Sequence, residues 1–214
     1  MLCKLTNENN ETFNNTLWGD RVTHFSSGNG ELCSPGWIHY YDNELLAVLL
    51  NPIHADFKNP KLWEVLVEGK VKEDFGLKFG TTKLTTIKEV SLPVITLTQK
   101  IAFSILCAIE VCYNDKFLYW ADNWLKNIDR TSLAADEAAA YAACTADAAA
   151  AYAAAYAADA AAYAARAAAD AYAACTACTA DAVAADAAAY AARAAAYEGR
   201  KINLIEIVEK CLGY

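Results

Sequence analysis

Proline is absent from the last 121 of the 214 residues, and glycine is absent between Gly80 and Gly199. With both helix breakers missing, the chain beyond Pro93 is free to run as helix until Gly199. Cations are scarce: 18 Lys and Arg face 26 Asp and Glu, for a formal charge of −8. No segment groups them, which excludes a surface that tracks phosphates or an acidic bilayer, since either needs clustered cations. Long apolar runs are also missing. Ile101–Ile109 is too short to span a bilayer, and residues 1 to 12 are too polar for a secretory leader. The expectation is a cytoplasmic protein that engages neither nucleic acid nor membrane.

Eight cysteines are present, at positions 3, 33, 107, 112, 144, 175, 178 and 211, without the compact spacing of a disulfide framework. Several sit beside Ala or Leu in helical patterns, so free thiols are expected. Hydrophobic residues make up 56% of the chain, but 41 of the 68 residues from Thr131 to Glu198 are Ala, which hides little area per residue.

All four prolines and seven of the nine glycines precede residue 94, which divides the chain. In the first part, Leu62–Glu73 alternates Trp63, Val65 and Val67 with acids, the pattern of a half-buried strand. Val71–Phe79 and Lys83–Ser91 read as further strands with "GTT" between them. "DNELLAVLLN" reads as a helix capped by Asp42 or Asn43 and stopped before Pro52. Beyond the boundary, "TLTQKIAFSILCAIEVCY" reads as a Thr-capped core helix and "DKFLYWADNWLKN" as a short amphipathic one. The resulting fold class is α+β, a small mixed β-sheet domain over residues 1–93, followed by connecting core helices over 94–130. An Ala-rich long helix or helical hairpin over 131–198 comes next, with a C-terminal helix over 199–214.

Helix is the only regular structure that 131–198 can favour, because Ala has the highest helix propensity. Ser132 is positioned to cap its start, with Asp136 and Glu137 in the early turns; Gly199 ends it beside Arg200 and Lys201. At about 100° per residue, Tyr141, Tyr152, Tyr156 and Tyr163 share one face, whereas Tyr172, Tyr190 and Tyr197 lie on the other. A rod packed on a single partner would keep its stripe, so the flip predicts a fold-back within 157–172. Two phrases recur: "AYAACTA" at 140 and 171, and "DAAAYAARAAA" at 159 and 186. Their offsets differ, which excludes a regular solenoid. Thr145, Thr176 and Thr179 lack the constant spacing of an ice-binding face. Helices this rich in Ala need close packing, so self-association through Ala and Tyr faces is expected.

Chemistry-bearing residues concentrate between Trp18 and Phe57. All three histidines, His24, His39 and His54, lie there with Trp18, Arg21, Trp37, Tyr40 and Tyr41. One reading makes these a pocket in which rings stack on a ligand while His and Arg hold its polar groups. The other packs the rings beneath the sheet with each histidine satisfied locally. Cys33 and the histidines lack zinc-ligand spacing, and "SSGNGELCSPG" matches neither a phosphate loop nor a dinucleotide fingerprint. Cys33 paired with a histidine is a further nucleophile arrangement. No cofactor or metal is expected.

The segment "GELCSPGWIHYYDNELLAVLLNPIHADFKNPKLWE", followed by "GLKFGTTKLTTI" and "YWADNWLKNIDRTS", resembles an uncharacterised domain of phage, prophage and bacterial proteins, over residues 15–133. The Ala-rich tail with its "WADNWL" lead-in is similar to helical modules of immunity proteins. The resemblance implies a protein of the phage and bacterial conflict repertoire in the host cytoplasm, and brings no catalytic residues. "GWIHYYDNELLAVLL" also resembles the strand and helix of ADP-ribosyltransferases, for which Glu64 or Glu68 would supply the acid. The leading expectation is a non-enzymatic binding protein that sequesters or inhibits a host or toxin protein or a nucleotide-like signal. An ADP-ribosyltransferase-like enzyme and a structural helical component of a virion or filament are the alternatives.

Overall fold

Alternating apolar residues build the longest elements of the first half, and turn chemistry joins them. The computed structural model describes all residues except 143–148 and 170–173; the side chains of 142–152 and 170–178 also lie outside the described residues. Two compact units are present, Met1–Val94 and Ile95–Tyr214.

The first unit contains β1 (Cys3–Thr6), β2 (Glu11–Thr12), β3 (Thr16–Leu17), β4 (Thr23–Phe25), β5 (Ile38–Tyr40), α1 (Glu44–His54), β6 (Lys61–Asp74) and β7 (Lys78–Val90). Every pairing is antiparallel; β1, β6, β7 and β4 run in that order, β5 joins the same edge of β7 as β4, and β2 pairs with β3. Trp63, Val65 and Leu84 face inward with Trp18 and Tyr40 to form the core of this unit.

Three local expectations change here. The separate strands expected around Val71 are one continuous hairpin: Val71 belongs to β6, and "GTT" lies inside β7. Gly80 is there for clearance, since a Cβ on it would fall 2.4 Å from Leu32 Cδ1 and 3.0 Å from Trp37 Cβ. Helix α1 takes its cap from Asn43, whose side chain accepts from the Leu45 and Leu46 amides, but it continues through Pro52 to His54. Buried Leu46, Leu49 and Leu50 hold the helix, and packing prevails over the proline's missing donor.

The second unit contains α2 (Leu97–Ile109), α3 (Asp115–Leu125), α4 (Ser132–Ala142), α5 (Ala149–Ala169), α6 (Ala174–Tyr197) and α7 (Leu204–Cys211). Thr96 and Gln99 form a reciprocal capping box on α2, whose residues from Ile101 to Ala108 are all buried. Thr131 rather than Ser132 sits at the start of α4: its Oγ1 accepts from the Ala134 amide at 3.3 Å, and Asp129 fixes it in turn. At the far end Gly199 adopts φ 70°, with Gly199 N donating to Ala196 O at 3.0 Å and Arg200 N to Ala195 O at 2.8 Å. That pair of bonds is a Schellman cap.

A single rod is ruled out, because α4 packs against α5 and α5 against α6. Helices α5 and α6 pack along one another, and Ala158, Ala161 and Ala165 of α5 and Ala188, Ala191 and Ala195 of α6 are all buried. Methyl-sized side chains let the backbones approach closely, and α2 packs against both helices. The flipped tyrosine stripe now has a cause. Tyr156 and Tyr190, assigned to opposite faces, stack across the hairpin with centroids 5.4 Å apart. Residues 170–173, between α5 and α6, lie outside the described residues, as do the side chains of Tyr152, Tyr172, Thr145 and Thr176. Helix α5 is unbroken from 157 to 169, so that part of the expected break window is helix.

Candidate functional site

Lys4 is the unusual residue of the first unit. Strand alternation turns it to the same face as its partner Trp63, toward the aromatic core, and it is only 5% exposed. Its ammonium donates to the His39 carbonyl at 3.0 Å and lies 4.7 Å from the Trp18 ring centre. Burial of the charge pulls its pKa down to about 7.

Around Lys4 the predicted aromatic and histidine residues form three groups. In the first, Trp18 is buried, donates Nε1 to Thr12 Oγ1 at 2.8 Å and meets the edge of His24 at 4.5 Å. His24 Nε2 bonds the Leu17 carbonyl at 2.9 Å. Buried Tyr40 stacks on Phe79 at 5.4 Å, and burial raises its pKa, with Asp42 adding to the effect.

The second group is Tyr41 with His54. Their rings stack at 5.8 Å, and the hydroxyl lies 3.0 Å from His54 Nδ1. Burial pushes the Tyr41 phenol well up, so the hydroxyl keeps its proton beside the imidazole. Cys3 lies beside them, its thiol pushed up to about 12, chiefly by burial and then by Glu44.

The third group is His39 and Trp37 with the loop preceding β5. A carbonyl can only accept, so His39 Nε2, 2.5 Å from Leu32 O, carries the ring proton. Burial lowers the His39 pKa; the Leu32 bond opposes this, while Lys78 and Lys4 reinforce it. Trp37 donates Nε1 to Gly30 O at 3.1 Å. Arg21 stands apart, exposed and at φ 56°.

Trp18, His24, Trp37, His39, Tyr41 and His54 thus each engage a protein partner through a ring polar atom; Trp18, Tyr40 and Tyr41 are buried, and Trp37 and the histidines are half-buried. Sequence reasoning missed Lys4 and Lys78 because a lysine between Cys3 and Leu5, or at the start of a strand, reads as solvent-facing. Among the described residues no group of three or more His, Cys, Asp or Glu is placed to hold a metal, and Cys3, Cys33, Cys107, Cys112 and Cys211 are free thiols.

The opposite face of the same sheet is dressed differently. Strand pairing lines up Phe25, Lys83 and Glu68, and next to them Thr23, Thr85 and Leu66. Phe25 is 73% exposed and Leu66 51%. Lys83 pairs with Glu68 at 2.7 Å and stands 5.9 Å from the Phe25 ring; Lys88 pairs with Glu64 at 3.5 Å. The two acids considered for transferase chemistry are thus surface ion-pair partners.

No family model matches the chain, and no curated protein or solved structure does so either. Among the described residues, no helix is long and apolar enough to cross a membrane.

Proposed function

We propose that this chain is a non-enzymatic binding protein of the phage and bacterial conflict type, acting in the host cytoplasm on a host or toxin protein. The outer face of β4, β6 and β7 is its recognition surface. The observation that carries the reading is the pair Phe25 and Leu66, large apolar side chains held in water beside the Lys83–Glu68 ion pair. Exposed apolar groups rimmed by charges are the usual dress of a protein interface. A nucleotide-like ligand is less favoured, because Trp18 and Tyr40, two of the rings that would stack on it, are packed in the core, and the Trp18 and His39 ring nitrogens are engaged.

The Ala-rich helices serve as scaffold. Their small faces are already covered within the chain by α2 and by each other, so self-association is assigned to the exposed tyrosines Tyr163 and Tyr197.

The test uses the full chain with Phe25→Ser and Leu66→Ser combined, and Tyr119→Ser as an exposed control in the helical unit. Crosslinking in the host cell, followed by affinity measurement on the recovered protein, should show binding lost in the double variant and kept in the control. Equal affinity in all three would sink the assignment. Sedimentation should show self-association weakened by Tyr163→Ser with Tyr197→Ser.

A further inference from the structure

The turn Glu31–Ser34 is anchored on every side and presents one sulfur. Ser34 N donates to Glu31 O at 3.0 Å, closing a β-turn whose central residues are Leu32 and Cys33. Leu32 is buried over Gly80, and its carbonyl is bound by His39 Nε2. Lys72 ties the turn down from outside, donating to Gly30 O at 3.3 Å and pairing with Glu31 at 3.0 Å. Between these anchors Cys33 is exposed.

Lys78 reaches the sulfur from below. Its ammonium lies 3.2 Å from Cys33 Sγ, and the residue is 6% exposed. Reactive thiols lie in electropositive, partly exposed surroundings, and the Lys78 ammonium supplies that positive charge here. The geometry is thus a buried cation aimed at an exposed sulfur on a fixed turn, with no histidine in contact.

We propose that Cys33, reacting through its thiolate as any cysteine nucleophile does, is held by Lys78 and is the site at which small hydroperoxides modify this protein. The sulfur attacks one peroxide oxygen; the S–O bond forms as the O–O bond breaks. Sulfur is oxidised to the sulfenic acid, and the peroxide is reduced to water and, for an alkyl hydroperoxide, an alcohol. The departing oxide takes its proton from the Lys78 ammonium, which leaves a neutral amine beside a neutral sulfenic acid. His39 is a positioning residue here, acting through the Leu32 carbonyl.

The experiment follows the Cys33 peptide of the full-length protein by mass spectrometry. Iodoacetamide gives the alkylation rate, and hydrogen peroxide with a cyclic diketone trap gives sulfenic acid. At pH 6, Cys33 in the folded chain should alkylate about tenfold faster than in the urea-unfolded chain. Lys78→Met should remove that advantage, Lys78→Arg should keep most of it, and the trapped sulfenic acid should follow the same order. Equal rates in folded and unfolded wild type overturn the proposal even if Lys78→Met does not fold. So does a folded Lys78→Met variant that keeps the wild-type rate.

Discussion

Cys3 and Tyr41 exchange two backbone hydrogen bonds, each of 2.8 Å, although they belong to opposite ends of the sheet order. Through this bridge β1, β6, β7 and β5 make a closed circuit, and the edge that β1 would leave open is met by the residue following β5. Tyr41 thus holds the closure by its backbone and His54 by its hydroxyl.

Substitution separates those two roles. Tyr41→Phe removes one buried hydrogen bond and should cost about 1 kcal/mol. Tyr41→Ala also empties a core position and should cost about 3 to 5 kcal/mol. Denaturant melts of the first unit's transition measure both, and a Tyr41→Ala chain as stable as Tyr41→Phe would place the ring outside the core.

Lys4 sets a pH dependence whose sign follows from its lowered pKa. Above about pH 7 the folded state releases the Lys4 proton while the unfolded state, near the ordinary value of 10.5, retains it. The unfolded state then binds more protons, so stability rises with pH from about 7 toward 10.5. Cys3 acts in the opposite direction above its ordinary value of 9.0, because its folded thiol stays protonated. Between those limits the melting temperature of wild type should rise with pH relative to Lys4→Met. A flat difference would show that Lys4 does not titrate there.

Gly80→Ala tests the seat of the Cys33 turn. Its methyl group meets Leu32 and Trp37, so the loop must lift or β7 must shift, at about 1 to 3 kcal/mol. Trp37 emission should move toward the red as the ring gains water, and an unchanged spectrum would argue against the close approach.

Gly199→Ala isolates a backbone effect. Nothing lies within 4 Å of the added Cβ, so the cost is that of φ 70° alone, about 1 kcal/mol. Gly199→Asn should recover part of that loss. Thermal melts of the full chain read both changes.

Where a local rule acts alone, the sequence announces the structure. Trp63, Val65 and Val67 mark a strand by period, and Asn43, Thr96 and Asn114 cap α1, α2 and α3 as their side-chain oxygens dictate. The tyrosine stripe announces the hairpin by geometry. Where distant parts of the chain meet, the signal disappears. Gly80 reads as a turn until Leu32 is seen above it, and Pro52 reads as a stop until the leucines of α1 are seen to hold the helix. Ser132 and Thr131 are equally good caps on paper, and Asp129 selects between them. The same blindness affects the site. Cys33 was visible as a thiol, but its neighbour Lys78 lies 45 positions away, and only the folded sheet brings them together.

The α5–α6 contact has a thermodynamic consequence that its geometry does not advertise. Alanine has no rotamers to surrender on burial, so the two helices dock with almost no loss of side-chain entropy. Each methyl group also withdraws little apolar surface from water, and hydration of that surface is what makes unfolding steep. A hairpin built this way gains stability by not losing disorder rather than by hiding oil. Its melting should carry a small heat-capacity step and respond weakly to urea, in contrast with the aromatic core around Trp63.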